Sequence, residues 1–564
     1  MKALVESMVR KSKIFVTMLV VAMMLLIGVT PALADPLPPD EGNLYIHKYI
    51  GGPTGGNANG TALDTSGWSS VVAVNGVVFK VYKVDTSKGI PGVGNGYTYQ
   101  LNGNKLEVRD STNALKGSYD VAFVDSVKTG ETVNSTSIPG TAQALGLDQG
   151  LYLVIEDAAA TNTAPNKITN AGTGETMYIS KVVAPFLVAV PMTNPAGNDW
   201  LTDVHVYPKN EELSISKTVV TNPSVVVGDT VSYKIVASIP GDIETSKKFN
   251  IIDEMDEALD VVLKSVSAKT LTTDVGLVKG TDYTVTYDSA TRVLTVAFVP
   301  VADPANPPVP PVGCAKLKGY ASVEISFDAT VNARILDKDG YSVRNDATVS
   351  FTNKDNVGFE AGTDEGGPVI HTAAIEIEKV KEDSITGLDG SAFKIADTKE
   401  NAEAGKFMRI DPDTKIIYKP SDGQAWVDLG ADPKVDNDYK IAPTTPSYKD
   451  KFEGLRDVVK VNDKNEGQTY WIVEVKAPTG YNLLSAPVEV KFSDNADDTT
   501  APPSVPAVIN HIKAVKVINS AGFTLPMTGG AGTIAFTVVG IMLLGLAAIV
   551  FISSRKREER DEII

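Results

Sequence analysis

The chain has 564 residues, 69 acidic against 52 basic, a formal net charge of −17 and a single cysteine. Such acidity argues against nucleic acid or an anionic membrane surface as partner, and one cysteine excludes a fold held by internal disulfides. The four histidines, His47, His205, His371 and His511, show no ligand spacing, so neither a metal nor a cofactor is expected.

At the N-terminus, Lys2, Arg10, Lys11 and Lys13 precede an apolar run over 14–29 that closes with Pro31-Ala32-Leu33-Ala34. A basic head, an apolar middle and small residues at A-x-A spacing read as a secretory signal cut after Ala34. A second apolar run, 531–552, is long enough to cross a bilayer as a helix of about 20 residues. Arg555, Lys556 and Arg557 follow it and would hold that end in the cytoplasm. Everything between the two runs is therefore exported. The signal holds four basic residues and one acidic, and the tail after Ile552 four of each; the rest carries 44 basic and 64 acidic residues, a net of −20. Residues 35–528 number 494, room for roughly three domains.

Within that span apolar and polar residues alternate with period two, the pattern of half-buried strands. Val231, Tyr233, Ile235, Ala237 and Ile239 share one face; Tyr283, Val285, Tyr287 and Leu294, Val296, Phe298 form a hairpin; Val323, Ile325 and Phe327 make another strand. Helical periodicity is weak outside the two membrane-directed runs. The expected fold is all-β: three tandem immunoglobulin-like sandwiches over 35–212, 213–370 and 371–518, with the signal at 1–34 and an anchor at 519–564. The first and third read as distant repeats. Each opens with a Lys-bearing strand (Lys48, Lys379), then an aromatic strand (Phe79, Phe393) and a late Tyr-x-x-x-Glu strand (Tyr152 to Glu156, Tyr470 to Glu474). Cys314 follows a proline-rich stretch with no nearby His or Asp and reads as an unpaired loop thiol. Asp337-Lys-Asp339-Gly340 begins like a calcium loop but lacks its later carboxylates, and reads as a turn.

Three motifs carry chemistry. Leu525-Pro526-Met527-Thr528-Gly529, followed by an apolar span and a basic tail, matches the sorting signal recognised by sortases, the transpeptidases of the outer membrane face. Trp200-Leu-Thr-Asp-Val204-His-Val206-Tyr207-Pro208-Lys209-Asn210 closes the first domain and resembles the pilin motif of Gram-positive major pilins. Tyr470-Trp-Ile-Val-Glu474-Val-Lys-Ala477-Pro478-Thr-Gly480-Tyr481 resembles the E-box of the same proteins. The chain thus resembles a backbone subunit of sortase-assembled pili with Cna-type domains. That resemblance implies cleavage between Thr528 and Gly529, attack on the Thr528 acyl-enzyme by Lys209 of another copy, and a head-to-tail filament, since such a contact does not close on itself. Its implied partners are a pilus sortase, neighbouring copies of the chain, accessory tip and base pilins, a peptidoglycan precursor and a host surface ligand.

The resemblance also implies Lys–Asn isopeptide bonds beside a buried acid: Lys379, Asn510 and Glu474 in the third domain, and Lys217, Asp253 and Asn345 in the second, with Asn353 as rival to Asn345. Lys48, Glu156 and Asn210 are the candidates in the first domain, where some members of the family lack a bond. The physics is self-contained. Burial lowers the lysine pKa and raises that of the acid, so a neutral amine can attack a carboxamide that the protonated acid polarises, at an effective concentration set by fixed geometry. No constellation for catalytic turnover is visible, which leaves a monomeric wall-anchored adhesin as the alternative to a pilus subunit.

Overall fold

The computed structural model describes residues 37–51, 59–68, 71–89, 91–92, 96–157, 167–271, 275–298, 312–354, 356–363, 366–410, 413–418, 440–444, 447–461, 464–493, 511–522 and 531–561. The expected signal at 1–34 and the motif at 525–529 lie outside them. The described residues are all-β apart from short helices and one long apolar helix. It divides into two compact units, Met1–Pro223 with Asp229–Arg334 and Ser342–Ile370, and Ser224–Gly228 with Ile335–Tyr341 and His371–Ile564.

In the first unit the sheets fall into two groups. Before residue 213, a three-stranded sheet orders Thr141–Asp148, Glu41–His47 and Asp203–Val206, and a six-stranded sheet is built around Val78–Val84 and Gly150–Glu156. A small closed barrel contains Tyr49–Gly51 and Lys209–Glu212. The chain's opening and closing strands in this region run parallel: Asn43 to Ile46 align with Asp203 to Val206, and Tyr49 and Ile50 with Lys209 and Asn210. Alternation along them sends Leu44, Ile46, Lys48 and Ile50, with Val204 and Asn210, into the interior.

The second group faces two five-stranded sheets. One carries Ile215–Val219, Thr230–Ser238 and Ser322–Val331, the other Lys248–Glu254 and Thr348–Thr352. The strand expected from Val231 onward buries Val231, Tyr233, Ile235 and Ala237, and the expected hairpin pairs Thr284–Asp288 with Val293–Ala297. Cys314 corrects its sequence reading: it is a free thiol, but it lies in the short helix Val312–Leu317, fully buried, with the Ser246 hydroxyl 3.6 Å from its sulfur. Burial pushes that thiol up to about 11, so it behaves as a small apolar core residue.

The second unit packs a three-stranded sheet, Lys449–Leu455, Ala373–Lys381 and Ile512–Asn519, against a four-stranded one containing Ala392–Ala396 and Thr469–Lys476. Ile375, Ile377, Phe393, Ile395, Phe452 and Ile472 form its core, each buried side chain contributing about 2 kcal/mol. Again the opening and closing strands are parallel, with Lys379 opposite Val517. The helix Ala531–Asp561 includes the apolar span Phe536–Arg555, long enough to cross a membrane.

Candidate functional site

Among the described residues, three buried lysines each lie within the electrostatic reach of a buried acid. In the first, Lys48 Nζ donates to Glu156 Oε2 at 2.8 Å and to Asn210 Oδ1 at 2.6 Å, while Asn210 Nδ2 donates to Glu156 Oε1 at 2.6 Å. The Val183 amide donates to the same Glu156 carboxylate at 3.0 Å. Lys48, Glu156 and Asn210 are all buried, and burial drives the lysine pKa down against the opposing pull of Glu156.

In the second, Lys217 donates to Asp253 across the two facing sheets. Burial lowers the lysine and raises the aspartic acid. Asn345 is fully buried, its amide lies against the Asp253 carboxyl, and the carbonyl of the next residue, Asp346, accepts from Lys217 Nζ at 3.4 Å. Asn353 serves a turn instead: its Oδ1 accepts the Val357 amide at 2.9 Å. The two asparagines that the sequence left as rivals thus sit in different surroundings.

In the third, Lys379 is fully buried, its Nζ donates to the Val517 carbonyl at 2.9 Å, and burial lowers its pKa to about 8. Glu474 is buried on the Thr469–Lys476 strand and accepts the Leu484 amide at 3.0 Å. Asn510, the partner expected from sequence, lies outside the described residues. The amide beside Glu474 is Asn519, whose Nδ2 lies 2.9 Å from both carboxylate oxygens and whose buried Oδ1 has no hydrogen-bond partner among the described residues. The two sites share a register. Lys379 is opposite Val517 and Asn519 lies two residues further along; Lys48 is level with Pro208 and Asn210 lies two further along. Val-Ile-Asn occurs twice, at 508–510 and 517–519, and Asn519 of the second copy holds the same register relative to Lys379 as Asn210 does to Lys48. A lysine amine, a carboxamide and a carboxyl group held together in an apolar interior are the components of an amide-exchange reaction.

Lys209 points the other way. It is half-buried on the outer face, one residue before the buried Asn210. Its Nζ sits 5.2 Å from the centre of the Trp68 ring, and burial lowers its pKa. The same face carries a ladder of rings from alternate positions of the two parallel strands: Tyr45 on His205, His205 on His47, and His47 on Tyr207, at 4.9, 5.1 and 4.6 Å.

The histidines pair in space, which sequence spacing did not reveal. His47 Nε2 and His205 Nδ1 are 2.8 Å apart. His371 Nε2 and His511 Nδ1 each bond a different oxygen of Asp457, at 2.9 and 2.8 Å, and Ser224 donates to Asp457 Oδ1 at 2.5 Å. These last two rings are parallel within 5° and 3.7 Å apart, so no one ion can lie in both ring planes as metal coordination requires; the cluster is a hydrogen-bonded brace.

The comparisons with known proteins agree on the kind of molecule. Residues 39–211 match the Gram-positive pilin subunit D1 N-terminal domain, 373–502 a prealbumin-like fold domain and 518–559 the LPXTG cell wall anchor motif. The chain is a Gram-positive pilin subunit with a cell-wall anchor. It is exported and displayed at the cell surface. This pilin is 26% identical over 457 residues to fimbrial subunit type 1 of Actinomyces viscosus, covering 72% of this chain and 79% of the relative. It is also 26% identical over 555 residues to fimbrial subunit type 2 of Actinomyces naeslundii, covering 92% and 90%. Among solved structures, the full-length major pilin SpaD of Corynebacterium diphtheriae superposes with a TM-score of 0.45 at 22% identity, over 86% of this chain and 98% of that one.

Proposed function

We propose that this pilin is the backbone subunit of a covalent pilus. A pilus sortase cleaves between Thr528 and Gly529, and the Nζ of Lys209 in a neighbouring copy attacks the Thr528 thioester. The new amide releases the enzyme's thiol and joins the copies head to tail. The last transfer, to an amine of a peptidoglycan precursor, fixes the fibre to the wall, and accessory pilins occupy its tip and base. The observation carrying this reading is the pair Lys209–Asn210, adjacent in sequence and on opposite faces: the lysine looks outward, while the asparagine is buried with Lys48.

Within each copy, Lys48, Lys217 and Lys379 form amides with Asn210, Asn345 and Asn519. Lysine nitrogen bonds to the asparagine Cγ, the Cγ–Nδ2 bond breaks, and one ammonia leaves per bond, with Glu156, Asp253 and Glu474 shuttling the proton. Each bond ties an early strand to a late one, which keeps a pulled domain from extending and replaces the absent disulfides. The test is an immunoblot of wall extracts boiled in SDS, from cells making wild type or Lys209→Ala. A high-mass ladder that collapses to monomer in the variant is expected; one wall-linked band in both would make the protein a monomeric adhesin.

A further inference from the structure

The outer face around Lys209 is organised for more than display. Residues 59–68 run over the closing strand and are pinned to it at two points. The His205 amide donates to the Gly60 carbonyl at 2.9 Å, and the Leu63 amide donates to the Tyr207 hydroxyl at 2.7 Å. Gly60 permits the approach: its φ is +88°, and a Cβ there would stand 2.3 Å from the Met192 sulfur. The same segment carries Trp68, whose indole stands edge-on against Tyr49 and Tyr207, at 5.2 and 5.8 Å. With those rings as buttress, the Trp68 face meets Lys209 Nζ.

We propose that Trp68 is a positioning residue for the Lys209 nucleophile, and that the Tyr207 hydroxyl sets Trp68 in place. This rests on Lys209 being the acceptor amine. A free lysine spreads over many rotamers, whereas a transfer step needs its nitrogen near one point above the acyl-enzyme carbonyl. The ring face holds the ammonium extended along the strand through its quadrupole. The ring plane also excludes water from one side of the amine. The tyrosine before Pro208-Lys209 thereby gains a role separate from the lysine's: it anchors, through Leu63, the segment carrying the ring.

The test offers the full exported chain as amine acceptor to the pilus sortase, with a Leu-Pro-Met-Thr-Gly peptide as acyl donor. Initial rates are read against acceptor concentration for wild type, Trp68→Phe, Trp68→Ala and Tyr207→Phe. In parallel, Lys209 acylation by a small amine-reactive ester is followed by peptide mass mapping without sortase. Trp68→Ala should lower kcat by about three- to tenfold, Trp68→Phe should restore most of it, and Tyr207→Phe should fall between. Ester labelling of Lys209 should not slow, because the amine stays present and reachable. Transfer by Trp68→Ala at or above the wild-type rate overturns the proposal. So does a loss that Trp68→Phe fails to rescue, or a parallel fall in ester labelling, which would trace the effect to the fold or to the amine's own basicity. Should Lys209→Ala accept the peptide as well as wild type, the acceptor assignment itself fails, independently of Trp68.

Discussion

The Lys48 and Lys379 sites share a plan and differ in one detail. Both place a lysine on the opening strand, an acid on a late strand and an asparagine on a parallel closing strand, two residues past the lysine's register partner. In the first, the lysine bonds the asparagine oxygen and the asparagine nitrogen bonds the acid, so the three side chains form a closed ring. In the third, Lys379 turns to the Val517 carbonyl, both acid oxygens take the Asn519 amide, and the Asn519 oxygen has no partner among the described residues. A buried carbonyl lacking a donor is costly. Parallel register thus places an asparagine at the same offset from both lysines, while local hydrogen bonds set where each amine points.

The largest effect belongs to neither site. Lys209→Ala should abolish the high-mass ladder outright while leaving the internal bonds, and so the monomer mass, otherwise as in wild type. Next, Lys379→Ala or Glu474→Ala removes the tie closing the third domain, worth about 4–5 kcal/mol by loop entropy. That corresponds to a fall of roughly 10–20 °C in that domain's melting temperature, read by calorimetry. Lys48→Ala should do the same to the first domain. The two asparagines separate cleanly: Asn519→Ala should raise the intact mass by one retained ammonia, after allowing for the substitution, whereas Asn510→Ala should leave the cross-link in place. A result with those roles exchanged would break the register argument.

The smallest effect is on acid stability. Burial, then the neighbouring charge of His205, lowers His47 to about 4, and burial lowers His205 too. The unfolded chain takes up these protons nearer 6.5, so between about pH 6.5 and 4 it binds more protons than the folded one. First-domain stability should therefore fall as pH drops through that window. A His47→Gln variant should show a flatter profile of melting temperature against pH.

Much of this was legible in the sequence because strands advertise themselves by alternation. The same period-two rule that buries Tyr233 and Ile235 puts Lys48 inside and Lys209 outside. Register was harder. Val-Ile-Asn at 508–510 and at 517–519 are identical as local signals, and only pairing with Lys379 distinguishes them. The histidine pairs were hidden for the same reason, since His47 and His205 stand 158 residues apart in sequence and meet through a parallel strand pair. Cys314 misled because its proline-rich approach reads as loop, while the short helix that follows buries the thiol against Ser246.

The most direct test of the central claim is tandem mass spectrometry of proteolysed wall-extracted polymer, searched for peptides containing Lys209 and Asn210. A three-branched peptide is predicted, with Lys209 joined to the Thr528 carbonyl of another copy and Asn210 joined, with loss of ammonia, to Lys48 of its own. A free Lys209 amine in the polymer, with Thr528 attached elsewhere, would contradict the account.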